Sequence, residues 1–219
     1  MNIANIRNIL FDLDGTLINS AGDVLFCLQN AYNTVPALAH ARPDASHIGP
    51  PLQELIRNVT PDITEEQALA VTRAFRACYD KSTYERTTLQ PGAEELLSNL
   101  KECHVRLFIA TNKPRLATIQ ILVAKQIDCF EGIVTPDLLG SKNLDKAGMI
   151  EYILSTWNLK REETLMVGDD ASDILAATRN QISSAAVLNG YGNKNRIREA
   201  KPLYVFQTLG EFSRHMMHL

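Results

Sequence analysis

The chain has 219 residues, a net charge of −3, and 21% charged against 45% apolar side chains. That balance excludes disorder and collagen-like repeats, and the length suits one α/β core with an insertion. A chain of this size buries roughly 70–75% of its unfolded surface, enough to fold without a metal or disulfide staple.

The slight acidity argues against a nucleic-acid partner, and no apolar run reaches the ~18 residues of a membrane span. Asn2, Asn5, Arg7 and Asn8 interrupt the amino terminus before an apolar core develops, so no secretory leader is expected. Cys27, Cys78, Cys103 and Cys129 are scattered without a CxxC pair. Neither zinc nor a disulfide framework is expected, and reduced thiols in a cytoplasmic chain are.

The first strand candidate is Asn8–Leu13, apolar at nearly every residue. Ser20 then reads as a helix cap with Asp23 at N3, followed by Val24, Leu25, Leu28 and Tyr32 at helical spacing until Pro36. Thr64 and Gln67 form a second capping box, with Ala68, Val71, Phe75 and Cys78 on one face. Gln90-Pro91-Gly92 returns the chain to the core. Asn19–Thr87 therefore reads as an inserted α-helical domain with its own small core, leaving 1–18 and 88–219 for the main domain.

From there helices and strands alternate. Helical patterns at Ala93–Leu100, Pro114–Lys125, Lys146–Trp157 and Ser172–Asn180 separate strand candidates Val105–Ala110, Gly132–Val134, Thr164–Val167, Ala185–Leu188 and Leu203–Phe206. Continuous apolar strands suit a sheet covered on both faces, so the expected core is a doubly wound, Rossmann-like parallel sheet. An insertion at the carboxyl end of such a strand reads as a lid over the ligand crevice.

Acidic turns follow two of these strands. In Ile9-Leu10-Phe11-Asp12-Leu13-Asp14-Gly15-Thr16-Leu17, two aspartates point to one side of extended chain before a sharp turn. Like charges so close repel unless neutralised, and a divalent cation with oxygen ligands neutralises them. In Met166-Val167-Gly168-Asp169-Asp170-Ala171-Ser172-Asp173, Asp169 leaves a strand and Asp173 falls in the first turn of a helix, where the dipole alone favours a carboxylate. Thr111-Asn112-Lys113-Pro114 combines hydroxyl, amide and helix-start N–H groups suited to phosphate. Lys146 sits near a helix start against the dipole, a local cost that often marks function.

These segments, in this order, resemble the four motifs of the haloacid dehalogenase-like hydrolase superfamily: Asp12-Leu13-Asp14-Gly15-Thr16, Thr111, Lys146, and Gly168-Asp169 through Asp173. The helical insertion resembles that family's small cap. Ile48-Gly49-Pro50-Pro51-Leu52, Thr111-Asn112-Lys113-Pro114 and Gly190-Tyr191-Gly192 are similar to its phosphoglycolate phosphatase-like branch. The resemblance implies Asp12 as nucleophile and Asp14 as acid and then base. It implies Thr111, Asn112 and Lys146 as phosphate ligands, and Mg²⁺ held by Asp12, Asp169 and the Asp14 carbonyl. Asp173 is implied to fix Lys146 or a metal-bound water. The substrate is implied to be a small phosphorylated metabolite. A phosphomutase of the same superfamily, or a non-catalytic phosphate-binding regulator, is the alternative.

The chain departs from the family pattern in places. Asn19 stands where many relatives have aspartate, Ala147 follows Lys146 where proline is frequent, and Asp170 replaces Thr or Ser. Asp170 either adds metal affinity or caps a helix, and Lys142 is a lesser candidate for the role of Lys146. Arg57, Lys81, Arg86 and Arg115 could read a substrate carboxylate or sugar, although each is more often a solvated charge. The histidines show no metal-ligand spacing, and Trp157 reads as a packing residue. No GxxxxGK loop is present, and Gly190-Tyr191-Gly192 lacks the third glycine of a dinucleotide fingerprint.

Overall fold

The computed structural model describes residues 5–140 and 143–217, so Lys142 lies outside the described residues. The chain divides into two compact units, Met1–Asn19 with Leu89–Leu219, and Ser20–Thr88.

The larger unit carries β1 (Asn8–Phe11), followed by the two-residue strand β2 (Ile18–Asn19) where the chain leaves it. The smaller unit holds α1 (Ala21–Asn33), α2 (Leu52–Val59) and α3 (Glu65–Tyr79), and the chain returns through β3 (Thr88–Leu89). The remainder is α4 (Ala93–Glu102), β4 (Arg106–Ala110), α5 (Arg115–Ala124), β5 (Gly132–Val134), α6 (Lys146–Thr156), β6 (Thr164–Gly168), α7 (Ala171–Arg179), β7 (Ser183–Val187), α8 (Lys194–Glu199), β8 (Tyr204–Phe206) and α9 (Leu209–Met217).

Six strands form one parallel sheet in the order β5-β4-β1-β6-β7-β8. The chain runs outward from β1 to one edge through β4 and β5, then crosses back to build β6, β7 and β8 on the other side. This is the doubly wound arrangement expected from the alternating pattern, and its switch point falls between β1 and β6. All four residues of β1 are buried, as a strand covered on both faces requires. One face packs Leu10, Phe108 and Met166 against Met149, Ile150 and Ile153 of α6 and Ala176 and Ala177 of α7. Trp157 packs edge-on against Phe108, with ring centroids 5.2 Å apart, so it is the packing residue its pattern implied.

The smaller unit has its own apolar interior, in which Leu28, Tyr32, Ile56, Val71, Phe75 and Tyr79 are all buried. The buried Tyr32 hydroxyl donates to the Ile56 carbonyl at 3.0 Å. At the start of α3 the Thr64–Gln67 capping box is present in both directions, with bonds of 3.2 and 3.1 Å. The box read at α1 is not. Ser20 occupies the N-cap position without a capping hydrogen bond, and the buried Asp23 carboxylate instead accepts from Thr87 Oγ1 at 2.7 Å. A hydroxyl 64 residues away outcompetes the local cap.

The cysteine reading also needs correction. Cys27 on α1 and Cys78 on α3 are joined in a disulfide, with Cα atoms 5.6 Å apart, while Cys103 and Cys129 are free. Their 51-residue separation concealed the pairing, because only the packing of α1 on α3 brings the two Cβ atoms together. Among the described residues, no helix is long and apolar enough to cross a membrane.

Candidate active site

The sheet register builds the site. Phe11 of β1 pairs with Ile109 of β4 and Val167 of β6, so the residues just past these positions converge at the carboxyl ends of three neighbouring strands. They are Asp12 after β1, Thr111 after β4 and Asp169 after β6, on both sides of the switch point, where doubly wound sheets bind ligands. Lys146 and Asp173 arrive from the first turns of α6 and α7.

Lys146 is the hub. Its ammonium donates to Asp12 Oδ1 at 2.6 Å and to the Ala110 carbonyl at 2.9 Å, and it lies 2.9 Å from Asp173 Oδ1. The contact to Asp173 is a close ion pair without hydrogen-bond alignment. All three side chains are buried. Burial works against the lysine charge, but Asp12 and Asp173 outweigh it and hold the ammonium above the usual lysine range.

Asp169 is gripped from two sides: Thr16 Oγ1 donates to its Oδ1 at 2.8 Å, and the Tyr191 N–H to its Oδ2 at 2.8 Å. The chain passes so close that side chains are excluded. A Cβ on Gly192 would stand 1.9 Å from the Asp169 carbonyl oxygen. A Cβ on Gly15, whose φ is +84°, would stand 2.2 Å from the Asp169 carboxylate. The Gly190-Tyr191-Gly192 turn is therefore a wall of the carboxylate site. From it the Tyr191 hydroxyl donates to Asn19 Oδ1 at 2.9 Å, giving the unusual Asn19 a partner.

Asp12, Asp169 and Asp173 offer carboxylate oxygens within 4.8 Å of one another. Burial pushes Asp12 up to about 7, against the pull of Lys146, with Asp173 and Asp14 adding repulsion. Burial also raises Asp169 well above the ordinary carboxylate range, and the charges of Asp12 and Asp173 raise it further. Three carboxylates thus face one ammonium, an excess of negative charge that a hard divalent cation with oxygen ligands would relieve. The donor set fits Mg²⁺.

The other residues singled out from the sequence are placed as follows. Asp14 is partly exposed, and its carboxylate pairs with Lys113 at 3.0 Å. Thr111 is buried, and its Oγ1 accepts from the Lys113 N–H at 3.2 Å, while Asn112 is exposed. Asp170 caps α7 by accepting from the Ser172 N–H at 2.9 Å, and its own N–H donates to Asp173 Oδ2 at 3.2 Å. The helix-cap alternative accounts for it, and it stands outside the carboxylate cluster.

The family model described as haloacid dehalogenase-like hydrolase matches residues 9–187, from β1 through β7. The chain belongs to the haloacid dehalogenase-like hydrolase family. It is 29% identical to a phosphoglycolate phosphatase of Colwellia psychrerythraea, covering 96% of this chain and 97% of that protein. It is equally 29% identical to the pyrophosphatase PpaX of Halalkalibacterium halodurans, covering 93% and 94%. Among solved structures, a haloacid dehalogenase-like family hydrolase from Streptococcus pneumoniae superposes with a TM-score of 0.84 at 26% identity, covering 96% and 98%. A structure described as a predicted phosphatase from Clostridium acetobutylicum gives 0.82 at 28%, covering 98% and 99%.

Two residues of this haloacid dehalogenase-like site received no role from the sequence. Thr16 had the signal of lying inside the Asp-x-Asp-Gly-Thr segment, and its hydroxyl holds a carboxylate 153 residues away. Lys113 had only its place in Thr111-Asn112-Lys113-Pro114, and no local pattern pairs it with Asp14.

Proposed function

We propose that this haloacid dehalogenase-like chain is a Mg²⁺-dependent phosphatase of small, phosphoglycolate-like phosphomonoesters that acts through an aspartyl-phosphate on Asp12. The observation that supports this most directly is the buried Asp12 carboxylate held at 2.6 Å by Lys146 beside Asp169 and Asp173, with a second, more exposed carboxyl at Asp14. The phosphoglycolate phosphatase relative, matched over nearly its whole length, supports the substrate class.

The residues divide the work. Asp12 is oriented by Lys146, so its oxygen attacks phosphorus while the ester P–O bond breaks. Asp14 delivers a proton to the departing alcohol oxygen. It then takes a proton from the water that attacks phosphorus, and the P–O bond to Asp12 breaks to restore the free carboxylate. Thr111, Asn112 and Lys146 bind the transferring group, where charge stabilisation and positioning are most of the catalysis. Asp173 keeps Lys146 in place through their 2.9 Å ion pair. Mg²⁺, held by Asp12, Asp169 and the Asp14 carbonyl, would shield the phosphate charge from the attacking carboxylate. The helical unit serves as the cap in this reading. The cytoplasmic location expected from reduced thiols loses that support with the Cys27–Cys78 bond and is not part of the proposal.

The test is phosphate release from a panel that includes 2-phosphoglycolate, sugar phosphates, nucleoside monophosphates and pyrophosphate. It is run with Mg²⁺ and with EDTA, beside Asp12→Asn. Metal-dependent release of phosphate from a phosphomonoester, abolished in Asp12→Asn, is expected. A folded wild-type chain that releases phosphate from no ester would refute the proposal.

A further inference from the structure

Resting on the phosphatase reading above, we propose that Lys113 is a positioning residue for Asp14, serving the protonation of the leaving group rather than phosphate binding.

Four observations carry this. The Lys113 side chain is only 7% exposed, and its ammonium lies 3.0 Å from Asp14 Oδ2. A buried lysine is costly unless its charge is met, so a placement like this is specified by the surrounding structure. The backbone beneath it is tied on both sides: the Lys113 N–H donates to Thr111 Oγ1 at 3.2 Å, and its carbonyl accepts from Thr118 Oγ1 at 3.2 Å. The two buried lysines of the site also divide between the two reacting carboxylates. Lys146 binds Asp12 and Asp173, whereas Lys113 binds Asp14.

Asp14 needs such a hold more than Asp12 does. Its side chain is 25% exposed, against 11% for Asp12, and a loosely held carboxyl loses the alignment on which proton transfer depends. The ammonium arrives from the end of β4 and Asp14 from the end of β1, so the pair fixes the acid across two strands.

The experiment compares kcat/KM for an alkyl phosphomonoester and for 4-nitrophenyl phosphate in wild type, Lys113→Met and Lys113→Arg. kcat/KM reports steps up to cleavage of the ester bond, and 4-nitrophenolate departs without a proton whereas an alkoxide does not. If Lys113 positions the acid, Lys113→Met lowers kcat/KM for the alkyl ester at least about tenfold more than for the aryl ester. Lys113→Arg, which keeps a cation, returns the ratio toward wild type. With the aryl ester, Lys113→Met also accumulates phosphorylated chain by intact-mass spectrometry, because Asp14 must activate the water that removes the phosphoryl group.

Equal losses on both esters would overturn the inference in favour of phosphate binding, and no loss on either would overturn it outright. Lys113→Gln carries the same comparison if Lys113→Met does not fold. A folded wild type that releases phosphate from no ester, these two or those of the wider panel, would refute the phosphatase reading and this inference with it. Active wild type with an unchanged ratio refutes this inference alone.

Discussion

Reduction of the Cys27–Cys78 bond is expected to loosen the helical unit selectively. The bond closes a loop of 51 residues that lies wholly within Ser20–Thr88 and ties α1 to α3. In the chain-entropy treatment a loop of this length restrains the unfolded state by about 4 kcal/mol at 25 °C, and measured bonds commonly give about 2–4. At 1.4 kcal/mol per tenfold, this corresponds to roughly 30- to 700-fold in the opening equilibrium of the unit. Hydrogen exchange followed by mass spectrometry, with and without a phosphine reductant, reads it directly. Peptides from α1 and α3 should lose protection by that factor on reduction, while peptides from β1 and β6 serve as the internal reference. Cys78→Ser without reductant should match the reduced wild type. Unchanged exchange in α1 and α3 on reduction would refute the reasoning, because it would mean that packing alone carries the unit.

Four further outcomes concern the carboxylate site. Lys146→Met strands Asp12 and Asp173 in the interior and should cost about 3–5 kcal/mol in urea unfolding at neutral pH, with a smaller loss near pH 5; equal midpoints in both proteins would count against the hub role. Burial raises Asp12 from 3.8 to about 7 and raises Asp169 as well, so the metal-free native state binds more protons than the unfolded chain. Stability of the metal-free protein should then be greatest below about pH 4 as far as these groups are concerned, and fall as pH rises toward 7. Mg²⁺ should raise Tm more at pH 8 than at pH 5, and a pH-independent rise would argue against these carboxylates as its ligands. Gly192→Ala drives a Cβ into the Asp169 carbonyl, so calorimetry should show about tenfold weaker Mg²⁺ binding, whereas Gly210→Ala, with no contact nearer than 3.6 Å, should leave binding unchanged.

What the sequence determined by itself is what depends on neighbours a few residues apart. The apolar run Ile9-Leu10-Phe11 announces a strand covered on both faces, and the Thr64–Gln67 box closes within a single turn of α3. The acidic turns after β1 and β6 were legible for the same reason, since an aspartate at a strand's end and another two residues on (Asp14) or four residues on (Asp173) are local facts. Local rules also mislead where a distant partner is stronger. Asp23 reads as a cap residue until Thr87 claims its carboxylate, and Cys27 and Cys78 read as unrelated thiols until α1 packs on α3.

The tertiary structure decided which of these local features meet. Lys146 reaches Asp12 across 134 residues and Thr16 reaches Asp169 across 153, because parallel pairing of β1 with β4 and β6 aligns their carboxyl ends. The pairing of Lys113 with Asp14 depends on that same register. Such ion pairs leave no periodicity in the chain. They form because the apolar faces of the sheet set the strand order and register, and charges at the strand ends are then held close enough for their attraction and repulsion to matter.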